Sequence, residues 1–164
     1  MGKPILYIDM DGVVVEFPET IDKVPIAIRD KCAEWCDKNN KHHSDYPSLF
    51  SYLYPKDGAI EAIVTLKEKY SILLLSSAPW GNISSWSDKR IWVERYLPML
   101  GRKCLVLSHR KDLNRGRFLI DDREHNGAAS FGDYDGQEWI HFGHGYFSGW
   151  SIVVDYLMKN EAGD

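Results

Sequence analysis

Five short apolar runs, at residues 4–9, 71–76, 103–107, 117–121 and 138–142, show almost no alternation of polar with apolar side chains. A strand with one face in water alternates at a period of two. A strand covered on both faces does not, and such strands belong in a parallel sheet flanked by helices. Helical spacing fills the intervals: Ile60, Ile63, Val64 and Leu66 share one side of 58–70, and Ile91, Val93 and Tyr96 line 88–97 before Pro98. The chain therefore reads as an α/β fold, a Rossmann-like doubly wound parallel sheet whose sites form outside the carboxyl ends of its strands. With 164 residues, 44% of them hydrophobic, a single domain spanning 1–164 with a sizeable core is expected, and a disordered chain is excluded.

The stretch 17–56 interrupts the alternation of strand and helix. One helix is expected near 24–39, followed by His42, His43, Tyr46, Phe50, Tyr52 and Tyr54. A connection of that length in a compact domain usually carries function. Because it follows the first strand directly, it is expected to lie over the strand ends as a small, mainly helical cap. Phe17, Tyr46, Phe50, Tyr52 and Tyr54 suit stacking against a flat ring, or equally the formation of the cap's own core.

A net charge of −4 supplies no electrostatic footprint for duplex nucleic acid or an anionic membrane. Three cysteines form no even-numbered disulfide framework, the first residues lack a charged-then-apolar leader, and no apolar run approaches the roughly 20 residues of a membrane span. A reduced, cytoplasmic protein is expected. Cys32, Cys36, His42 and His43 offer four zinc-type ligands, but Cys-x3-Cys in a helical pattern reads as a buried helix face. Asp133-Tyr-Asp135-Gly136 begins like a calcium loop yet lacks the closing glutamate, and reads as a surface turn. His141, His144, Tyr146, Phe147 and Trp150 are expected to help pack the C-terminal helix.

The chemistry concentrates at strand ends. Asp9-Met10-Asp11-Gly12 follows the first apolar run, and Gly12 lets the chain turn while two carboxylates enter one crevice. Asp121-Asp122 closes another apolar run, and acidic pairs at two strand ends of one parallel sheet converge on the same edge. Like charges gathered there require a cation. Mg²⁺ suits them, since it takes a few hard oxygen ligands and leaves positions for phosphate oxygens. Between these pairs, Ser76 and Ser77 end a third run in hydroxyls suited to cradling phosphate oxygens. Lys89, read as opening the helix that contains Trp92, brings a cation and a helix N-terminus toward the crevice.

In this order, Asp9-Met-Asp-Gly-Val, Ser76, Lys89 and Asp121-Asp122 resemble the four motifs of the haloacid dehalogenase superfamily. More narrowly, Pro55-Lys-Asp-Gly-Ala-Ile-Glu-Ala, Ser76-Ser77, Lys89 with Trp92-Val-Glu-Arg-Tyr96, and Leu119-Ile-Asp-Asp-Arg123 look like the 5′(3′)-deoxyribonucleotidase family. The resemblance covers nearly the whole chain. It implies a Mg²⁺-dependent phosphomonoester hydrolase in which Asp9 attacks phosphorus and forms an aspartyl-phosphate, while Asp11 protonates the leaving oxygen and then activates water. It implies Ser76 and Lys89 as further catalytic groups, Ser77 and Lys111 as substrate contacts, and Asp9, Asp11, Asp121 and Asp122 as metal-binding residues. Asp11 would contribute its backbone carbonyl. Asp122 is favoured over Asp121 as the direct ligand, a choice left open, as is the choice among His109, Arg110 and Lys111 for the second cation at phosphate. The implied substrate is a small phosphorylated molecule, first a (deoxy)nucleoside monophosphate. Another phosphorylated metabolite, or a non-catalytic ligand-binding member of the fold, are the alternatives.

Overall fold

The computed structural model describes residues 2–160. Strands β1 (Ile5–Ile8), β2 (Ser71–Ser76), β3 (Leu105–Leu107), β4 (Phe118–Asp121) and β5 (Glu138–His141) form one parallel sheet in the order β3-β2-β1-β4-β5. Four α-helices accompany them: α1 (Arg29–Asn39), α2 (Ala59–Leu66), α3 (Ser84–Tyr96) and α4 (Trp150–Lys159).

Successive side chains on a strand point to opposite faces, so each strand feeds two cores. Leu6, Ile8, Leu74, Phe118 and Ile120 pack with Ile63 and Leu66 of α2, Trp92 and Val93 of α3, and Val153 and Leu157 of α4. On the other face, Tyr7, Leu75 and Leu119 meet Ala128 and Phe131. That smaller layer comes from the segment around a 3₁₀ turn at Ala129–Asp133, between β4 and β5. The β1-to-β2-to-β3 steps and the β4-to-β5 step run in opposite directions across the sheet, and crossovers of one hand then place their covering elements on opposite faces. The doubly wound pattern is present, with one layer reduced to a single turn. Its direction reverses beside β1 and β4, where a crevice opens at the carboxyl ends.

Cap and core join at a pair of crossing segments. Val15 bridges Pro55 in antiparallel fashion, Glu16 N donates to Tyr54 O and Lys56 N donates to Val14 O, both at 2.9 Å. Between them the cap consists of α1 and three 3₁₀ turns, at Ile21–Lys23, His43–Asp45 and Leu49–Tyr52. The helix expected over 24–39 begins only at Arg29, because Pro25 sets a separate turn in which its carbonyl accepts Ile28 N at 2.9 Å. The strand expected over 103–107 is confined to Leu105–Leu107, since Lys103 sits at φ 64° and breaks the pleat. Cys32 is buried in the core cluster, with Cys36 half-buried beside it. His43 is also buried, its Nε2 2.8 Å from Pro18 O. Residues 133–136 form an exposed turn with Gly136 at φ 76°.

At the C-terminus, Phe147 stacks edge-on against Tyr156 of α4 and Trp150 donates to Val13 O at 3.2 Å. Tyr146 stays exposed, and His141 is engaged elsewhere, with its Nε2 3.1 Å from Asp122 O.

Candidate active site

Asp9 is the first residue beyond β1, and its amide donates to Ile120 O of β4 at 2.9 Å, so the two strands fix its position together. The chain then turns sharply, with the amides of Val13, Val14 and Val15 all directed to Met10 O at 3.2, 2.9 and 2.8 Å. Gly12 makes this turn possible at φ 77°. A Cβ there would come 2.2 Å from Asp122 Oδ2, so any side chain would displace the Asp122 carboxylate.

Asp9, Asp121 and Asp122 each place a carboxylate oxygen within 4.8 Å of the others. The Lys111 ammonium lies 2.9 Å from Asp9 Oδ1 and pairs with Asp121 Oδ2, while Arg123 N donates to Asp121 Oδ1 at 3.0 Å. Both Asp121 oxygens are thus engaged. By contrast Asp122 Oδ1 is buried with no hydrogen-bond partner, and Asp9 Oδ1, for all its nearness to Lys111, accepts none. A buried carboxylate oxygen without a partner is costly. Hard oxygen donors with unused lone pairs on two residues fit a divalent cation such as Mg²⁺.

Asp11 is separate from this group. Its two oxygens accept from Lys89 Nζ at 2.7 and 2.8 Å, and the same ammonium donates to Ser76 Oγ at 3.0 Å. Lys89 is fully buried, with Nζ 4.3 Å from the centre of the Phe50 ring. It does not open a helix: α3 begins at Ser84, and Asn82 caps its first turn by accepting Ser85 N through its side-chain oxygen at 3.2 Å. The lysine therefore reaches the crevice from inside α3, without a helix N-terminus beside it.

Burial, then the charge of Asp9, pushes Asp121 up to about 7. The same two causes raise Asp122. Burial also raises Asp11, against the opposing pull of Lys89. Lys111 loses hydration on burial, yet Asp9 and Asp121 outweigh that loss and hold it above the ordinary lysine value.

Lys111 is the cation placed at the cluster. Arg110 is occupied by Asp112 at 2.9 and 2.6 Å, and His109 lines the same cavity with its Nε2 2.8 Å from Ala78 O. Ser77 also lines the cavity, its hydroxyl donating to Ser108 O at 2.9 Å. The cavity holds about 450 Å³ and reaches from Asp9 and Asp11 to the cap. Of the five cap aromatics, only Phe17 lines it. Phe50 is core, Tyr46 meets Trp35 edge-on, and Tyr52 and Tyr54 are exposed elsewhere. The sequence reading missed Trp80, His42, Arg123, His125 and Asn126 as cavity residues. Only Trp80 carried a usable signal, an aromatic directly after Ser76-Ser77-Ala78-Pro79.

The sheet order and strand-end carboxylates define a haloacid-dehalogenase-like fold. A solved haloacid dehalogenase-like hydrolase from Burkholderia xenovorans LB400 superposes with a TM-score of 0.51 at 14% identity, over 90% of this chain and 85% of that one. The chain belongs to the family described as 5′ nucleotidase, deoxy (pyrimidine), cytosolic type C, whose family model matches residues 3–146, and it is accordingly a nucleotidase-like hydrolase. A Vibrio phage KVP40 protein assigned as a 5′(3′)-deoxyribonucleotidase is 46% identical over 160 residues, covering 96% of this chain and 86% of that protein. The 5′(3′)-deoxyribonucleotidase of Bacillus subtilis strain 168 is 26% identical over 137 residues, 76% of this chain and 78% of the other. No helix among the described residues is long and apolar enough to cross a membrane.

Proposed function

We propose that the protein is a Mg²⁺-dependent 5′-nucleotidase that hydrolyses (deoxy)nucleoside monophosphates through an aspartyl-phosphate on Asp9. The observation that carries the chemistry is the convergence of three carboxylates, buried on Asp9 and Asp121 and half-buried on Asp122, beside the Lys111 ammonium, with Asp122 Oδ1 left without a hydrogen-bond partner. The nucleotide part rests on the names of the relatives above. In this reading the cap of residues 17–56 and the core work as one domain, in the cytoplasm.

Asp9, Asp122 and the Asp11 backbone carbonyl would hold Mg²⁺, with Asp121 bridging to Lys111. When bound, the ion lowers the repulsion between an anionic nucleophile and an anionic phosphate. Asp9 attacks phosphorus, and the new bond forms as the bond to the nucleoside oxygen breaks. Asp11 donates its proton to that oxygen. Burial favours the protonated carboxyl, as a general acid working near neutral pH requires. Asp11 then takes a proton from water, which attacks the aspartyl-phosphate and releases inorganic phosphate. Lys89 orients Asp11 and Ser76, and Ser76, Ser77 and Lys111 offer donors and charge to the phosphoryl oxygens.

The test is phosphate release by purified protein with Mg²⁺ from deoxynucleoside and nucleoside monophosphates, sugar phosphates and p-nitrophenyl phosphate. The expected result is turnover highest with nucleotides and abolished by EDTA. Preference for a sugar phosphate would reassign the substrate to another metabolite. No turnover of any ester would point to a binding protein.

A further inference from the structure

Of the two readings of the cap aromatics, a ring-binding surface or the cap's own core, the first has little support, since most of them do not reach the cavity. One aromatic from the core side does. Trp80, in the loop between β2 and α3, lines the cavity together with Asp9 and Asp11 and is 83% exposed. The residues that follow it are held against the cap. Asn82 donates to Ser44 O and Tyr46 O of the cap at 3.0 and 2.9 Å, and the Asn82 amide donates back to Pro79 O at 3.1 Å. A Cβ on the adjacent Gly81 would come 2.5 Å from Asp45 Oδ1, so the loop lies pressed against the cap. The imidazole of His109, fixed by Ala78 O at 2.8 Å, stands edge-on to the indole with centroids 5.9 Å apart.

A large flat side chain that contributes little to the core, on a clamped loop lining a cavity of about 450 Å³, suits a planar ligand. It can stack without first being ordered, so little conformational freedom is lost on binding. The cavity provides for both ends of one ligand, with phosphate chemistry at Asp9 and an aromatic face at the mouth. Resting on the nucleotidase reading, we infer that Trp80 is the specificity-determining residue that stacks on the nucleobase, so that base selection comes from the β2–α3 loop rather than from the tyrosines of the cap.

The test compares kcat/KM for a deoxynucleoside 5′-monophosphate with that for deoxyribose 5-phosphate, which keeps the sugar and phosphate and lacks the base. Wild type is expected to favour the nucleotide, and Trp80→Ala to lower that ratio about 5- to 150-fold, the range that one stacking contact supplies. Trp80→Phe should restore most of it, which a general disturbance of the loop would not allow, and both variants should keep the wild-type Tm. If wild type favours the nucleotide and Trp80→Ala leaves the ratio unchanged, the inference is overturned while the nucleotidase reading stands. If wild type hydrolyses deoxyribose 5-phosphate as well as the nucleotide, the reading beneath it fails.

Discussion

At the ends of β1 and β4, Asp9, Asp11, Asp121, Lys89 and Lys111 are each held by another charged or polar side chain. Lys111 sits between Asp9 and Asp121, and Lys89 between Asp11 and Ser76. In the cap, polar side chains mostly hold backbone. His43 meets Pro18 O, Arg29 donates to Val24 O, and Asn39 donates to Trp35 O. The first arrangement constrains residue identity, because removing one partner strands another buried charge. The second constrains shape, and many sequences satisfy it. Residue identity is thus constrained at a few interlocked positions at the strand ends, while the cap is constrained mainly in shape.

Substitutions inside the interlocked cluster should do the most damage. Asp9→Asn removes the attacking charge at nearly constant shape, and kcat is expected to fall about 10⁴-fold or more with the Tm preserved. Near-wild-type turnover would dissolve the distinction between cluster and cap. Lys89→Met leaves Asp11 without its counter-charge and Ser76 without its donor, so kcat should fall about 10²- to 10³-fold. A change confined to KM would show that Lys89 serves only in binding.

The cluster should also reveal itself without turnover. Asp121 is raised to about 7 and Asp122 is raised as well, so between roughly pH 4 and 7 the folded protein holds protons that the unfolded chain has released. Without metal, that difference makes stability fall as pH rises through this window. A bound cation favours the ionised carboxylates, so stabilisation by Mg²⁺ should grow from pH 5 to pH 8. At about 100 times the dissociation constant it should reach about 5–10 °C in Tm, read by thermal melts with Mg²⁺ or EDTA. A Tm increment that is constant or shrinks with pH would place the ion away from these carboxylates.

The cap's exposed tyrosines should matter least. Tyr52→Ser and Tyr54→Ser touch neither the cavity nor the core, so kcat/KM should stay within about 2-fold and stability within about 0.5 kcal/mol. A large loss specific to nucleotides would restore the cap as the base-reading element.

The same contrast explains what could be read in the sequence. Asp9, Asp11, Asp121 and Asp122 were legible because each follows or ends an apolar strand, and a parallel sheet brings such ends to one edge whatever the loops do. Lys89 was legible as a residue but not in its setting. The helix start hinges on Asn82, which caps α3 six residues earlier than the start read from the sequence while also holding the cap. Whether the cap aromatics stack on a ligand ring or form the cap's own core depends on which way each ring faces. Phe50 turns inward beneath Lys89 and Tyr52 turns outward, and no period of two or 3.6 governs 3₁₀ turns of three or four residues. Trp80 was passed over because a loop aromatic carries no periodicity at all.

Whether Asp9 takes the phosphoryl group is tested by acid quenching during turnover of a 5′-³²P-labelled deoxynucleoside monophosphate with Mg²⁺, followed by peptide mapping. Acid-stable, hydroxylamine-labile label is expected on the peptide containing Asp9, and none in Asp9→Asn. Efficient phosphate release with label on a different peptide, or undiminished release by Asp9→Asn, would contradict it.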